Sequence, residues 1–156
     1  MAPALYRQFT SQAELDAQYD VERSVPDFTV HARHYVDESK LARHRLACDL
    51  DVRYGPTRDE HLDIFPAPQA DAPVLVFIHG GYWRALDKRD HAFVAPAFTR
   101  RGVCVVIPNY ALCPAVTVPQ ITMHVVHALA WTWRHIARFD AAANGVVSND
   151  ANTSEG

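Results

Sequence analysis

The 156-residue chain holds no apolar run approaching the ~20 residues a membrane-spanning helix needs. Met1–Thr10 lacks the basic-then-apolar layout of a secretion signal. Cysteine is scarce: Cys48, Cys104 and Cys113 make an odd number with no Cys-x-x-Cys spacing. That excludes a disulfide framework and a thiolate zinc site, and fits a reducing cytoplasm. An excess of one charge is missing too. Fifteen Lys and Arg against eighteen Asp and Glu leave −3 with nine neutral histidines, which provides no electrostatic footprint for nucleic acid or an anionic membrane. No G-x-G-x-x-G follows a strand, which argues against dinucleotide binding. No H-E-x-x-H occurs. His31 and His34, His124 and His127, and His135 read as polar groups on helix faces, so no metal is expected. No internal repeat is present.

What remains is a globular composition, 49% apolar and 21% charged. Ser11, with Glu14 three residues on, has capping-box spacing for one short helix before Pro26. Asp27 can cap a second helix to about Leu46, whose cations Arg33, Lys40, Arg43 and Arg45 read as a solvated face. Leu46–Tyr54 alternates apolar and polar, a half-buried strand near a sheet edge. His61–Phe65 alternates again, with Leu62 and Ile64 on one face and Asp63 on the other. The two read as an antiparallel hairpin.

Val74-Leu75-Val76-Phe77-Ile78 follows, five apolar residues that read as a buried strand of a parallel sheet. It ends in His79-Gly80-Gly81-Tyr82-Trp83, where the glycines allow a sharp turn that exposes N–H groups. Arg84–Lys88 reads as a polar loop and about Asp90–Arg101 as a helix capped by Asp87 or Asp90. Gly102 suits a left-handed C-terminal residue. Val103–Ile107 is a second apolar strand, completing a right-handed βαβ unit with parallel strands. Ile121, Val125, Leu129 and Trp133, with Ile136 and Ala137, mark the strongest helix, from Pro119 to about Phe139. Residues 140–156 carry no Lys or Arg and read as a disordered tail.

His79 to Trp83 resembles the oxyanion-hole motif of α/β-hydrolases, and more narrowly the HGGYW form of the kynurenine formamidase (arylformamidase) branch. Tyr54-Gly55-Pro56, Leu62-Asp63-Ile64-Phe65-Pro66 and Asn109-Tyr110-Ala111-Leu112-Cys113-Pro114 resemble further segments of that branch. So does the helix between Tyr6 and Tyr19. Ala111 departs from the Asp the branch would have there. The resemblance spans roughly Tyr6 to Phe139. It implies an α/β fold, the N-terminal portion of an α/β-hydrolase, with an antiparallel leading hairpin and then parallel strands flanked by helices. The sheet order would be first, second, fourth, third strand.

It also implies serine-type hydrolysis of an aryl formamide, N-formylkynurenine, or of a small ester, without a cofactor. Gly80, Gly81 and Tyr82 would supply the oxyanion hole. His79 would position that loop. Trp83 and Tyr82 would either line the substrate pocket or pack beneath the loop. The branch's nucleophile elbow, G-x-S-x-G, is absent: Ser11, Ser24, Ser39, Ser148 and Ser154 are all outside such a pattern. The acid and base that follow it in chain order are absent as well. Cys113 is not the nucleophile of the loop it resembles. The expectation is therefore a truncated domain over residues 1–139, helical over 1–46 and sheet-bearing over 47–139, with no turnover of its own. The rival reading is a non-catalytic remnant or pairing module. In either case an unpaired edge at Val74–Ile78 invites self-association.

Overall fold

The computed structural model describes residues 5–20 and 24–139. They form two compact units divided between His34 and Tyr35. In the first, Ser11 caps helix α1 (Gln12–Tyr19) through the full capping box with Glu14. Helix α2 (Phe28–Arg45) begins after Asp27, whose carboxylate accepts the Thr29 N–H at 3.0 Å.

The second unit is built on a four-stranded sheet. Strands β1 (Asp49–Arg53) and β2 (His61–Phe65) pair antiparallel, β2 pairs antiparallel with β4 (Cys104–Pro108), and β4 pairs parallel with β3 (Val74–Val76). The order is β1-β2-β4-β3, as the resemblance implied. Between β3 and β4 run a 3-10 helix (Lys88–Val94) and the short helix α3 (Ala95–Thr99). After β4 come α4 (Val118–His135) and a 3-10 turn (Ile136–Phe139).

Strand alternation divides the core in two. Leu62, Ile64, Cys104 and Val106 face α4, with Ala128 and Trp131 over them. Phe65, Val105 and Ile107 face the other way, against Ala42, Ala92 and Ala95. Each large side chain so buried contributes about 1.5–3 kcal/mol of transfer free energy. Asp63 does lie on the face opposite Leu62, but that face is buried as well.

Four expectations need correcting. The strand buried on both faces is β4, not the Val74–Ile78 stretch. β3 is three residues long, pairs among the described residues with β4 alone as the strand order implied, and Val74 and Ile78 are exposed. The segment read as one helix from Asp90 opens as a 3-10 helix at Lys88, capped reciprocally by Asp87 and Asp90, and becomes α-helical only at Ala95 beside Pro96. Arg43 is not part of a solvated face, because it pairs with buried Asp63. Finally, α4 buries Ile121, Ala128 and Thr132, while Leu129 and Trp133 are exposed. Steps of four residues advance roughly 400° around a helix, so the stripe from Ile121 drifts about 40° per step and leaves the sheet by Trp133.

Candidate active-site loop and its anchors

β3 hands over directly to the bend. The Phe77 N–H still donates to the Val106 carbonyl at 2.8 Å, the last rung before the chain departs. His79 is then boxed in. Its carbonyl accepts the Tyr110 hydroxyl at 2.5 Å, and its ring lies 4.2 Å from that of Tyr110 at 6° and 5.4 Å from that of His91. Nδ1 sits 2.8 Å from the Gly80 carbonyl oxygen, so it carries the ring proton and donates. Nε2 is buried without a partner. Burial is the main cause that holds the imidazole below its usual range, and His91 adds to it. The ring is thus neutral at pH 7.

Gly81 has φ +117, and a Cβ there would overlap the Ala85 carbonyl oxygen. That same Gly81 residue's own carbonyl accepts the N–H groups of Arg84 and Ala85 at 3.1 and 3.0 Å. Tyr82, Trp83 and Leu86 also take left-handed φ values, +52, +60 and +69. For bulky residues each such conformation costs on the order of 1–3 kcal/mol. Gly80 meets no such constraint, since a Cβ would find open space. The Trp83 carbonyl accepts the Cys113 N–H at 2.8 Å, fixing the bend to the turn after β4. The N–H groups of Gly80, Gly81 and Tyr82 have no acceptor among the described residues. Tyr82 and Trp83 stand half to two-thirds exposed, 5.3 Å apart, so neither ring packs beneath the loop.

A cleft of about 360 Å³ is lined by Asp59, Leu86, Asp87, Asn109, Tyr110 and Cys113 among others, with none of His79 to Trp83 in its wall. It lies where β4 ends. In open α/β sheets, crevices outside the carboxyl ends of strands are where ligands bind. The Asn109–Cys113 segment therefore forms one wall of the cleft and also holds the loop, through Tyr110 and Cys113.

Sequence reasoning missed the second anchor. Lys88, taken for a loop residue, is fully buried. Its Nζ donates to Asp51 at 2.7 Å and to Asp63, while Arg43 donates to the other Asp63 oxygen at 2.8 Å. A bulge in β1 between Asp49 and Val52 makes this reachable. Asp51 sits there at φ +57, its N–H donating to Asp63 at 2.9 Å. The Lys88 ammonium holds the Asp51 carboxyl below its usual range, against the opposing effect of burial. Asp-Lys-Arg-Asp looks like a solvated cap in sequence, and only a bulge no periodicity announces brings Asp51 inward.

Across the sheet, Glu60 is buried. Burial alone would raise its carboxyl, but the Thr57 N–H at 2.9 Å and the His127 ring at 3.3 Å outweigh that and hold it low. Among the described residues no group of three or more His, Cys, Asp or Glu could hold a metal. No described helix is long and apolar enough to cross a membrane.

Residues 62–149, more than half of the chain, match the model of the BD-FAE family. The chain belongs to the BD-FAE family, and its fold is part of an α/β-hydrolase. It is 37% identical over 82 residues to the kynurenine formamidase of Drosophila melanogaster, covering 51% of this chain and 27% of that protein. It is 37% identical over 106 residues to esterase LipQ of Mycobacterium tuberculosis, covering 62% and 24%. Among solved structures, a thioesterase candidate from Silicibacter sp. TM1040 superposes with a TM-score of 0.75 at 27% identity, over 78% of this chain and 47% of that one. The BD-FAE chain thus spans about a quarter of those two curated relatives and about half of the solved one.

Proposed function

We propose that the bend after β3 is the oxyanion-binding half of a serine-type acyl-transfer site, serving hydrolysis of an aryl formamide such as N-formylkynurenine or of a small ester. The observation that carries this is the row of N–H groups at Gly80, Gly81 and Tyr82. They lack acceptors among the described residues and follow a parallel strand, and Gly81 and Tyr82 are held at positive φ. Such donors stabilise a tetrahedral oxyanion by roughly 2.7–4 kcal/mol each when a nucleophile is supplied. His79, neutral and boxed by Tyr110 and His91, positions the bend and moves no proton. Tyr82 and Trp83, exposed on the bend itself, would meet an acyl or aryl group held at those donors. The identity to a formamidase and to an esterase supports the substrate class.

No serine of this sequence lies in G-x-S-x-G, and Ser39 is buried with its hydroxyl accepting the Phe93 N–H. The chain as written therefore binds without turnover. Purified, it should show no formamidase or p-nitrophenyl acetate hydrolysis above background. A chimera with residues 62–139 in place of the matching segment of the Drosophila relative should hydrolyse N-formylkynurenine. Gly81→Pro in that chimera should lower kcat by about 10²–10³ with circular dichroism unchanged. Turnover by the isolated chain that Gly81→Pro abolishes would contradict the missing nucleophile. A folded chimera indifferent to Gly81→Pro would contradict the oxyanion assignment.

A further inference from the structure

In a trans peptide unit the carbonyl and the N–H of the next residue share one plane and point in opposite directions. Whatever holds a carbonyl therefore aims the N–H that follows it. Among the described residues the cis bond is Cys113–Pro114, so every unit of the bend is trans. The effect is visible at Arg84. The Trp83 carbonyl is held by the Cys113 N–H at 2.8 Å, and the Arg84 N–H of the same unit turns back to the Gly81 carbonyl at 3.1 Å.

Taken one unit at a time, each of the three donors of the bend has its own lock. The His79 carbonyl, in plane with the Gly80 N–H, accepts the Tyr110 hydroxyl at 2.5 Å. The Gly80 carbonyl, in plane with the Gly81 N–H, accepts from His79 Nδ1 at 2.8 Å. The Gly81 carbonyl, in plane with the Tyr82 N–H, accepts the N–H groups of Arg84 and Ala85.

The locks differ in origin. The third is internal to the bend. The first two converge on Tyr110, in the segment after β4. Its hydroxyl is the first lock. Its ring lies 4.2 Å from the imidazole at 6° and holds the plane from which Nδ1 reaches the Gly80 carbonyl, with His91 flanking farther off at 5.4 Å. Burial pushes the Tyr110 hydroxyl above its usual range, so it keeps its proton and donates at neutral pH. Direction matters here because a hydrogen bond weakens steeply once its angle falls below about 120°. A donor turned away from the oxyanion is therefore lost to it.

We propose that Tyr110 is a positioning residue of the oxyanion site, aiming the Gly80 N–H through its hydroxyl and the Gly81 N–H through the His79 ring, while the bend itself aims the Tyr82 N–H. Its effect on rate rests on the oxyanion reading of the bend; the directions of the three N–H bonds do not.

Residual dipolar couplings of the isotope-labelled 156-residue chain read those mean directions one bond at a time. Tyr110→Phe should change the coupling of Gly80 and leave those of Gly81 and Tyr82 near the parent's. Tyr110→Leu should change Gly80 and Gly81 and leave Tyr82. His79→Phe should change Gly81, and His79→Asn, whose amide N–H can stand in for Nδ1–H, should restore it. The couplings of Cys104 to Ile107 in β4 should match the parent in every variant, marking an intact sheet. In the chimera, Tyr110→Phe should lower kcat by about 10-fold or more with KM within about twofold of the parent. Unchanged Gly80 and Gly81 couplings in Tyr110→Leu overturn the proposal, as does a change spread evenly over all three donors. So does a His79→Asn chain that behaves as His79→Phe. The expected couplings with an unchanged kcat uphold the aiming and overturn the oxyanion reading instead. Should Tyr110→Leu fail to fold, Tyr110→Phe and the two His79 variants decide.

Discussion

The Tyr110 hydroxyl donates a 2.5 Å hydrogen bond to the His79 carbonyl oxygen while the two rings stack 4.2 Å apart. One side chain from the end of β4 thereby fixes both the backbone and the ring of the first residue of the bend. Tyr110→Phe keeps the stacking and leaves a buried carbonyl without its donor. The expected loss is about 1–3 kcal/mol in urea unfolding, with faster exchange at the amides of Gly80 to Tyr82.

Neighbouring glycines should respond differently. Gly81→Ala puts a Cβ on the Ala85 carbonyl oxygen in a conformation that side chains rarely adopt. It should destabilise the protein by roughly 1–3 kcal/mol. Gly80→Ala meets open space and should stay within about 0.5 kcal/mol of the parent. Paired denaturation curves check both, and equal effects would mean that the bend has another shape.

Lys88 is buried between two carboxylates. Lys88→Met leaves buried Asp63 with Arg43 and the Asp51 N–H but without the ammonium between the two carboxylates, and should cost about 3–5 kcal/mol. Adding Asp63→Leu should cost less than the sum of the two single changes, because the orphaned charge leaves with it. A double-mutant cycle in urea measures this coupling.

The acid side of the stability profile has a definite sign. An unfolded histidine titrates near 6.5, and burial holds His79 below that. As pH falls, the unfolded chain takes up this proton first. The His79 contribution is complete above about pH 6.5 and drains away as pH drops toward the lowered folded value. Asp51 and Glu60, both held low, act in the same direction at still lower pH. His79→Phe, which retains a ring against Tyr110, should flatten the slope of unfolding free energy between about pH 7 and 5. An unchanged slope would mean that His79 is not the group responsible.

Much of this was legible in advance, for identifiable reasons. Caps and pairings announce themselves locally: Ser11 with Glu14, Asp27 before α2, Gly102 at φ +77, and the alternation of β2. The bend was legible because Gly-Gly after an apolar strand is followed at once by Tyr82-Trp83 and, downstream, by Asn109–Pro114, segments that resemble one branch together. What escaped depends on distant partners. Nothing near Lys88 in sequence says that Asp51 and Asp63 converge on it, since the convergence rests on a bulge and on a third strand. The stripe on α4 misled because residues four apart look aligned over two turns and are not over four. Val74–Ile78 read as buried on both faces because an apolar run does not show which of its side chains a neighbour covers, whereas its place beyond β4 followed from the strand order the resemblance implied.

The hydrogen bonds that shape the bend join Gly81 to Arg84 and Ala85, Trp83 to Cys113, and His79 to Tyr110. All of them lie between His79 and Cys113, a continuous stretch of chain. The near part of the bend is therefore specified from within this stretch, while Lys88 ties its far end to Asp51 and Asp63 of the first two strands. Moved into another parallel sheet with a lysine-binding carboxylate pair at its far end, it should carry its curvature along.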